Sequence, residues 1–128
     1  MGRIQGDLPK RTFEFGCEIL KISDDLPNNV KGLVVGKQMI RSGTSIGSNV
    51  READAAFTDQ EFAYKCNLAR EEASETHYWL ELAIASSLLS SPSAHALVYE
   101  SDELMRILST IVARTRQRIT DSSNTKRS

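Results

Sequence analysis

Residues 58–83 read TDQEFAYKCNLAREEASETHYWLELA. Thr58-Asp59-Gln60-Glu61 matches a capping box, with Thr58 as N-cap and Glu61 at the third helical position. From there Phe62, Cys66, Ala69, Ala73, Thr76, Leu80 and Ala83 step by four and three. Seven matches in a row predict one helix with a bundle-type seam. The middle of the seam is small, so a neighbouring helix can approach closely there. A second stripe (Leu68, Glu72, Glu75, Trp79 and Leu82) is half polar.

Three further helices flank this one. Upstream, Phe13, Cys17, Leu20 and Asp24 repeat at helical spacing from about Lys10, with Ile19 and Ile22 beside them. That pattern stops at Asp24-Asp25-Leu26-Pro27-Asn28-Asn29, a turn. A second helix runs from about Val30 to Ala53, with Val35, Met39, Ile46, Val50 and Ala53 on one side. Gly36, Gly43 and Gly47 interrupt it, each at a cost of about 1 kcal/mol relative to Ala. Among so many small neighbours (Ser42, Thr44, Ser45, Ser48) they predict a close helix crossing at Gly43 and Gly47, with a kink as the alternative. Downstream, Ser91 and Pro92 suit the N-cap and first position of a last helix that runs to about Ile119. It carries two stripes. One is Leu97, Ser101, Leu104, Leu108, Ile111 and Thr115; the other is Val98, Met105, Val112 and Ile119. Two stripes mean two faces to cover, one by the bundle and the other by a partner subunit. Short turns imply an all-α, antiparallel up-down-up-down four-helix bundle that assembles into a homo-oligomer. Residues 1–9 are expected to form a flexible arm, 10–119 the bundle and 120–128 a disordered tail.

Bulk properties agree with one ordinary domain. The chain has 128 residues, 40% apolar and 26% charged, and a formal net charge of -1. It is polarised, however. Residues 106–128 hold six Lys or Arg against Asp121 alone, whereas residues 58–85 hold six acids against Lys65 and Arg70. Cys17 and Cys66 lie far apart in no metal-like spacing, so reduced, buried thiols are expected. No apolar leader or membrane-length run is present, and the cytoplasm is the expected location.

Catalytic patterns are missing. The two histidines, His77 and His95, have Ser74 and Pro92 three residues earlier, not the Glu of a di-metal bundle site. Gly43-Thr44-Ser45-Ile46-Gly47 follows no strand and lacks the Gly-Lys-Ser/Thr ending of a phosphate loop. No enzyme activity, metal, cofactor or small-molecule ligand is therefore expected. Two polar constellations stand out. Arg41, Ser45, Asn49 and Glu52 share a face of the second helix opposite Glu72 and Glu75, a network that would fix how the helices pair. Arg106, Arg114, Arg116 and Arg118 offer either macrodipole compensation or contact with nucleic-acid phosphates.

Residues 38–53, from Gln38 to Ala53, resemble the signature of a bacterial four-helix-bundle family, as do Phe62 to Lys65 and Ala69 to Leu80. That family includes the proteins encoded by intervening sequences in 23S ribosomal RNA genes. It also includes the accessory variability proteins of diversity-generating retroelements. The resemblance spans about Lys10 to Ile119. It implies a five-fold homo-oligomer and, from the retroelement members, RNA, DNA or a reverse transcriptase-like protein as partner. It brings no catalytic residues. Those retroelement members are strongly basic, and this chain is not. The expected function is a non-enzymatic binding scaffold, with RNA or a ribonucleoprotein as its candidate cargo. The alternative is a protein-binding or self-assembling module without nucleic-acid affinity.

Overall fold

The computed structural model describes residues 2–127, and for Arg127 the backbone alone. Four helices make up the described chain: α1 Leu8–Ser23, α2 Val30–Asp54, α3 Asp59–Ala85 and α4 Pro92–Arg127. They pack in ring order, α1 on α2, α2 on α3, α3 on α4 and α4 back on α1. This is the up-down-up-down bundle that the turns predict.

Local chemistry sets the helix ends. Asn29 accepts the Gly32 N–H at 2.9 Å and starts α2. The Thr58 hydroxyl accepts the Glu61 N–H at 3.0 Å, and Glu61 reaches back to the Phe57 N–H. Ser91 accepts from Ala94 at 3.2 Å and starts α4. The end of α3 is a Schellman-type stop: the Leu88 N–H donates to the Ala83 carbonyl at 2.8 Å. Its left-handed position is held by Ser87, at φ 60°, where glycine is usual.

All seven seam residues of α3 are buried. At mid-height the Thr76 hydroxyl donates to Ser42 at 2.9 Å, so the two small polar groups satisfy each other inside the core. The glycines of α2 serve a close crossing, and α2 is continuous through them. A Cβ on Gly43 would stand 2.8 Å from Ile19, and one on Gly47 would stand 3.2 Å from the Thr12 carbonyl. Ile19 and Thr12 are fully buried, so neither can give way freely. Opposite this crossing, Arg11 binds Glu100 through two 2.7 Å hydrogen bonds and ties α1 to α4.

The structure corrects three boundary expectations. Residues 1–9 are not simply a loose arm. Helix α1 starts at Leu8, and the arm is fastened before it. The Arg3 and Ile4 N–H groups donate to the backbone and side chain of Asp54 at 3.0 and 2.7 Å. The Arg3 guanidinium holds Ala56, Phe57 and Asp59. These partners lie more than 50 positions away, beyond the reach of any local pattern. Met1 lies outside the described residues. At the other end, residues 120–127 continue α4. A helix already nucleated gains one hydrogen bond per added residue, and no Gly or Pro stops it here. Ser128 of the expected tail lies outside the described residues. Finally, the second stripe of α4 is no bare face: Val112 is buried, and Val98, Met105 and Ile119 are half-buried. Val98 and Met105 pack against the core of their own bundle.

Two substitutions test this packing. Gly43→Ala should lower the urea-unfolding free energy by roughly 1–2 kcal/mol, because overpacking against Ile19 outweighs the helix propensity gained. Ser87→Gly should raise it by about 1 kcal/mol, by relieving the left-handed serine.

Candidate functional site

The sequence singled out two polar groups, and the structure treats them differently from expectation. The Arg41 guanidinium reaches across to α3 and pairs with Glu72 and Glu75. Glu75 also accepts the Trp79 indole N–H at 3.1 Å. Glu52 belongs to a separate pair, with Lys65 at 3.0 Å. Ser45 donates to the Arg41 carbonyl and Asn49 to the Ser45 carbonyl, both within α2. The six residues thus form three ion pairs, one of them with Lys65, and two intrahelical bonds in place of one network. Arg41 is about half exposed, so its pairs contribute under about 1 kcal/mol each.

The arginines of α4 also separate. At 100° per residue, with Arg106 as zero, Arg114 falls at about 80°, Arg118 at about 120° and Arg116 at about 280°. Arg106 turns back to Asp102 at 2.8 Å, a pairing that holds its guanidinium protonated above its ordinary range. Arg116 lies with Arg70 on the α3–α4 flank. Arg114 and Arg118 share a groove of about 360 Å³ with Arg3, Ile4, Gln5 and Phe62. Arg3 escaped the sequence reading, because its place depends on the fastening of the arm. Beside this groove Asp59 sits 2.8 Å from Arg3 and 3.6 Å from Arg118. Its carboxyl is held below the usual carboxylate range, first by the Arg3 hydrogen bond and then, against a smaller desolvation effect, by the charge of Arg118.

Another groove lies elsewhere, between α1 and α2. It has a volume of about 530 Å³ and is lined by Phe13, Gly16, Cys17, Leu20, Gly47 and Arg51, among others. The Arg51 guanidinium stands 5.6 Å from the Phe13 ring centre. Of the nine exposed large apolar side chains among the described residues, five are on α1 and α2: Phe13, Leu20, Val30, Leu33 and Val34. Three of the other four are tyrosines. The residues of this face were legible as a stripe from Phe13 to Leu20. That spacing marks a helix face, but exposure cannot be read from period alone.

Three further residues stand apart from these groups. His77 joins α3 to α4, with Nδ1 3.1 Å from the Val98 carbonyl and 3.0 Å from the Ser101 hydroxyl. Its Nε2 lies 2.9 Å from Glu81. Both cysteines are free, Cys66 buried and Cys17 half-buried. Burial pushes the Cys66 thiol up to about 11. Among the described residues no cluster of three His, Cys, Asp or Glu has metal-binding geometry, and no helix is long and apolar enough to cross a membrane.

With this geometry in hand, comparison with known proteins is informative. The family model of the 23S rRNA-intervening sequence proteins matches residues 7–110. The chain belongs to this family. A solved member of the S23 ribosomal protein family from Bacteroides thetaiotaomicron VPI-5482, described as of unknown function, is 37% identical. The similarity covers 82% of this chain and 97% of that one, with a TM-score of 0.75. No protein of curated function matches. The α1–α2 groove falls inside the matched residues, whereas Arg3, Arg114, Arg116 and Arg118 fall outside them.

The cysteines give a direct test. At pH 8 a thiol reagent should leave Cys66 unlabelled until the chain is unfolded. The raised Cys66 thiol also sets a sign for stability. The unfolded chain loses the proton near 9.0 and the folded chain near 11, so stability should fall as pH rises through that window. Cys66→Ala should show a shallower fall between pH 9 and 11.

Proposed function

We propose that this chain is a self-associating, non-catalytic scaffold whose α1–α2 face binds a second copy of itself. The observation that carries this reading is the exposure of Phe13 and Leu20 as walls of a groove of about 530 Å³, with Val30, Leu33 and Val34 also exposed on α2. Contiguous apolar surface beyond a few scattered residues marks an interaction site. Most soluble oligomers are closed assemblies of identical chains. The groove floor is glycine at Gly16 and Gly47, so an incoming side chain can approach the backbone closely. The walls, Phe13 and Leu20, are large enough to anchor it. The resemblance of the sequence to bundles that assemble five-fold favours a homopentamer, formed through this face and not through the second stripe of α4.

Light scattering on the purified chain tests the reading. The expected mass is an integer multiple of the monomer, five-fold for the pentamer. Leu20→Glu or Phe13→Glu should shift it to monomer while leaving the helical circular dichroism intact. A monomeric wild type at tens of micromolar would remove this proposal.

A second reading, in which the scaffold also holds RNA or a ribonucleoprotein, draws on the basic last third of α4. Arg114, Arg116 and Lys126 there meet no carboxylate among the described ion pairs. Such a fan of cations contacts phosphates without reading bases. It predicts RNA retention at low salt that falls steeply as salt rises.

A further inference from the structure

The groove between the arm and α4 is charged in a way that the fold does not require. Three of its lining side chains are arginines (Arg3, Arg114 and Arg118), and none is acidic. The carboxylate that meets them is Asp59, bound by Arg3 at 2.8 Å and approached by Arg118 at 3.6 Å. The local balance is therefore two positive charges in excess. Arg114 and Arg118 are spaced by four on one helix face, where like charges destabilise a helix by a few tenths of a kcal/mol. Arg114 has no ion-pair partner among the described residues to offset this. Arg3 does not add to the mobile charge, because its fork is fastened to the Ala56 and Phe57 carbonyls and to Asp59. It forms a fixed positive wall. Arg114 and Arg118 line the same groove, together with Gln5.

We propose that Arg114 and Arg118, backed by Arg3, form a binding site for a terminal phosphate, that is, a phosphate monoester. The charge decides between phosphate classes. A monoester carries about -1.5 to -2 at neutral pH and matches the excess of two, whereas a diester linkage carries a single charge. Two guanidiniums can each present a planar fork to such a group. A groove of about 360 Å³ also leaves room for the ester's organic part. All three arginines lie outside residues 7–110, so the site belongs to this chain and not to the family match. It is independent of self-association through α1 and α2. It is narrower than phosphate-backbone binding, because it asks for a chain end or a free ester.

Isothermal titration of the full chain with inorganic phosphate is the first measurement, followed by two oligoribonucleotides of one sequence. One carries a 5′-phosphate and the other a 5′-hydroxyl. Saturable phosphate binding and a preference of about ten-fold or more for the 5′-phosphorylated strand are expected. A 5′-mononucleotide then separates the two sources. If it binds as tightly as the strand, a free ester is the ligand; if the strand binds tighter, an RNA end is. Arg114→Gln and Arg118→Gln should each weaken binding about ten-fold or more, with unchanged thermal unfolding. Arg106→Gln, on another face of α4 and paired with Asp102, should leave it unchanged. Equal binding of both strands without phosphate binding would overturn the proposal and leave backbone contact standing. So would an Arg106→Gln loss as large as that of Arg114→Gln, or no binding to any of the probes.

Discussion

Helix α2 lies against α1 at this distance because glycine stands where the two backbones cross. Gly43 makes room for Ile19, and Gly47 makes room for the Thr12 carbonyl. Much else depends on that approach. It pins residues 12–19 of α1 against residues 43–47 and so sets the height of the shortest helix in the bundle. Sixteen residues reach about 24 Å, less than half the length of α4. The crossing also shapes the outside. Where two helices meet at glycine the outer groove has a backbone floor, and Phe13 and Leu20 rise as its walls. Packing and candidate interface are two sides of one constraint.

Most of the fold was legible in the sequence. The seam from Phe62 to Ala83, the capping box at Thr58 and the Pro27 and Pro92 boundaries each follow from chemistry within a few residues. The small residues of α2 predicted close contact for the same reason. What escaped depends on distance along the chain. The fastening of Arg3 joins residues more than 50 positions apart. The extension of α4 past Ile119 escaped for a different reason. The apolar period ends there, but a helix needs only backbone hydrogen bonds and the absence of a breaker to go on.

The candidate sites show the same division. Periodicity located Arg41, Ser45, Asn49 and Glu52 on a face correctly as geometry, yet could not tell which residues reach a partner. Glu52 found Lys65 and Arg41 found two glutamates, while Ser45 and Asn49 turned inward to their own helix. Counting arginines along α4 overstated their unity, because one or two residues of spacing rotate a side chain far around the axis. Only tertiary placement shows that Arg114 and Arg118 share a groove with an arginine from the other end of the chain.

The last turns of α4 stand apart from the rest of the bundle. Residues 120–126 are exposed throughout and held by bonds within the helix, such as Gln117 to Asp121 and Thr125 to the Asp121 carbonyl. A segment whose stability is borrowed from the helix behind it places few demands on its own side chains. Its surface can therefore change in evolution, one residue at a time, with little penalty to folding. This overhang is where the chain can acquire a binding preference without disturbing the crossing of α1 and α2.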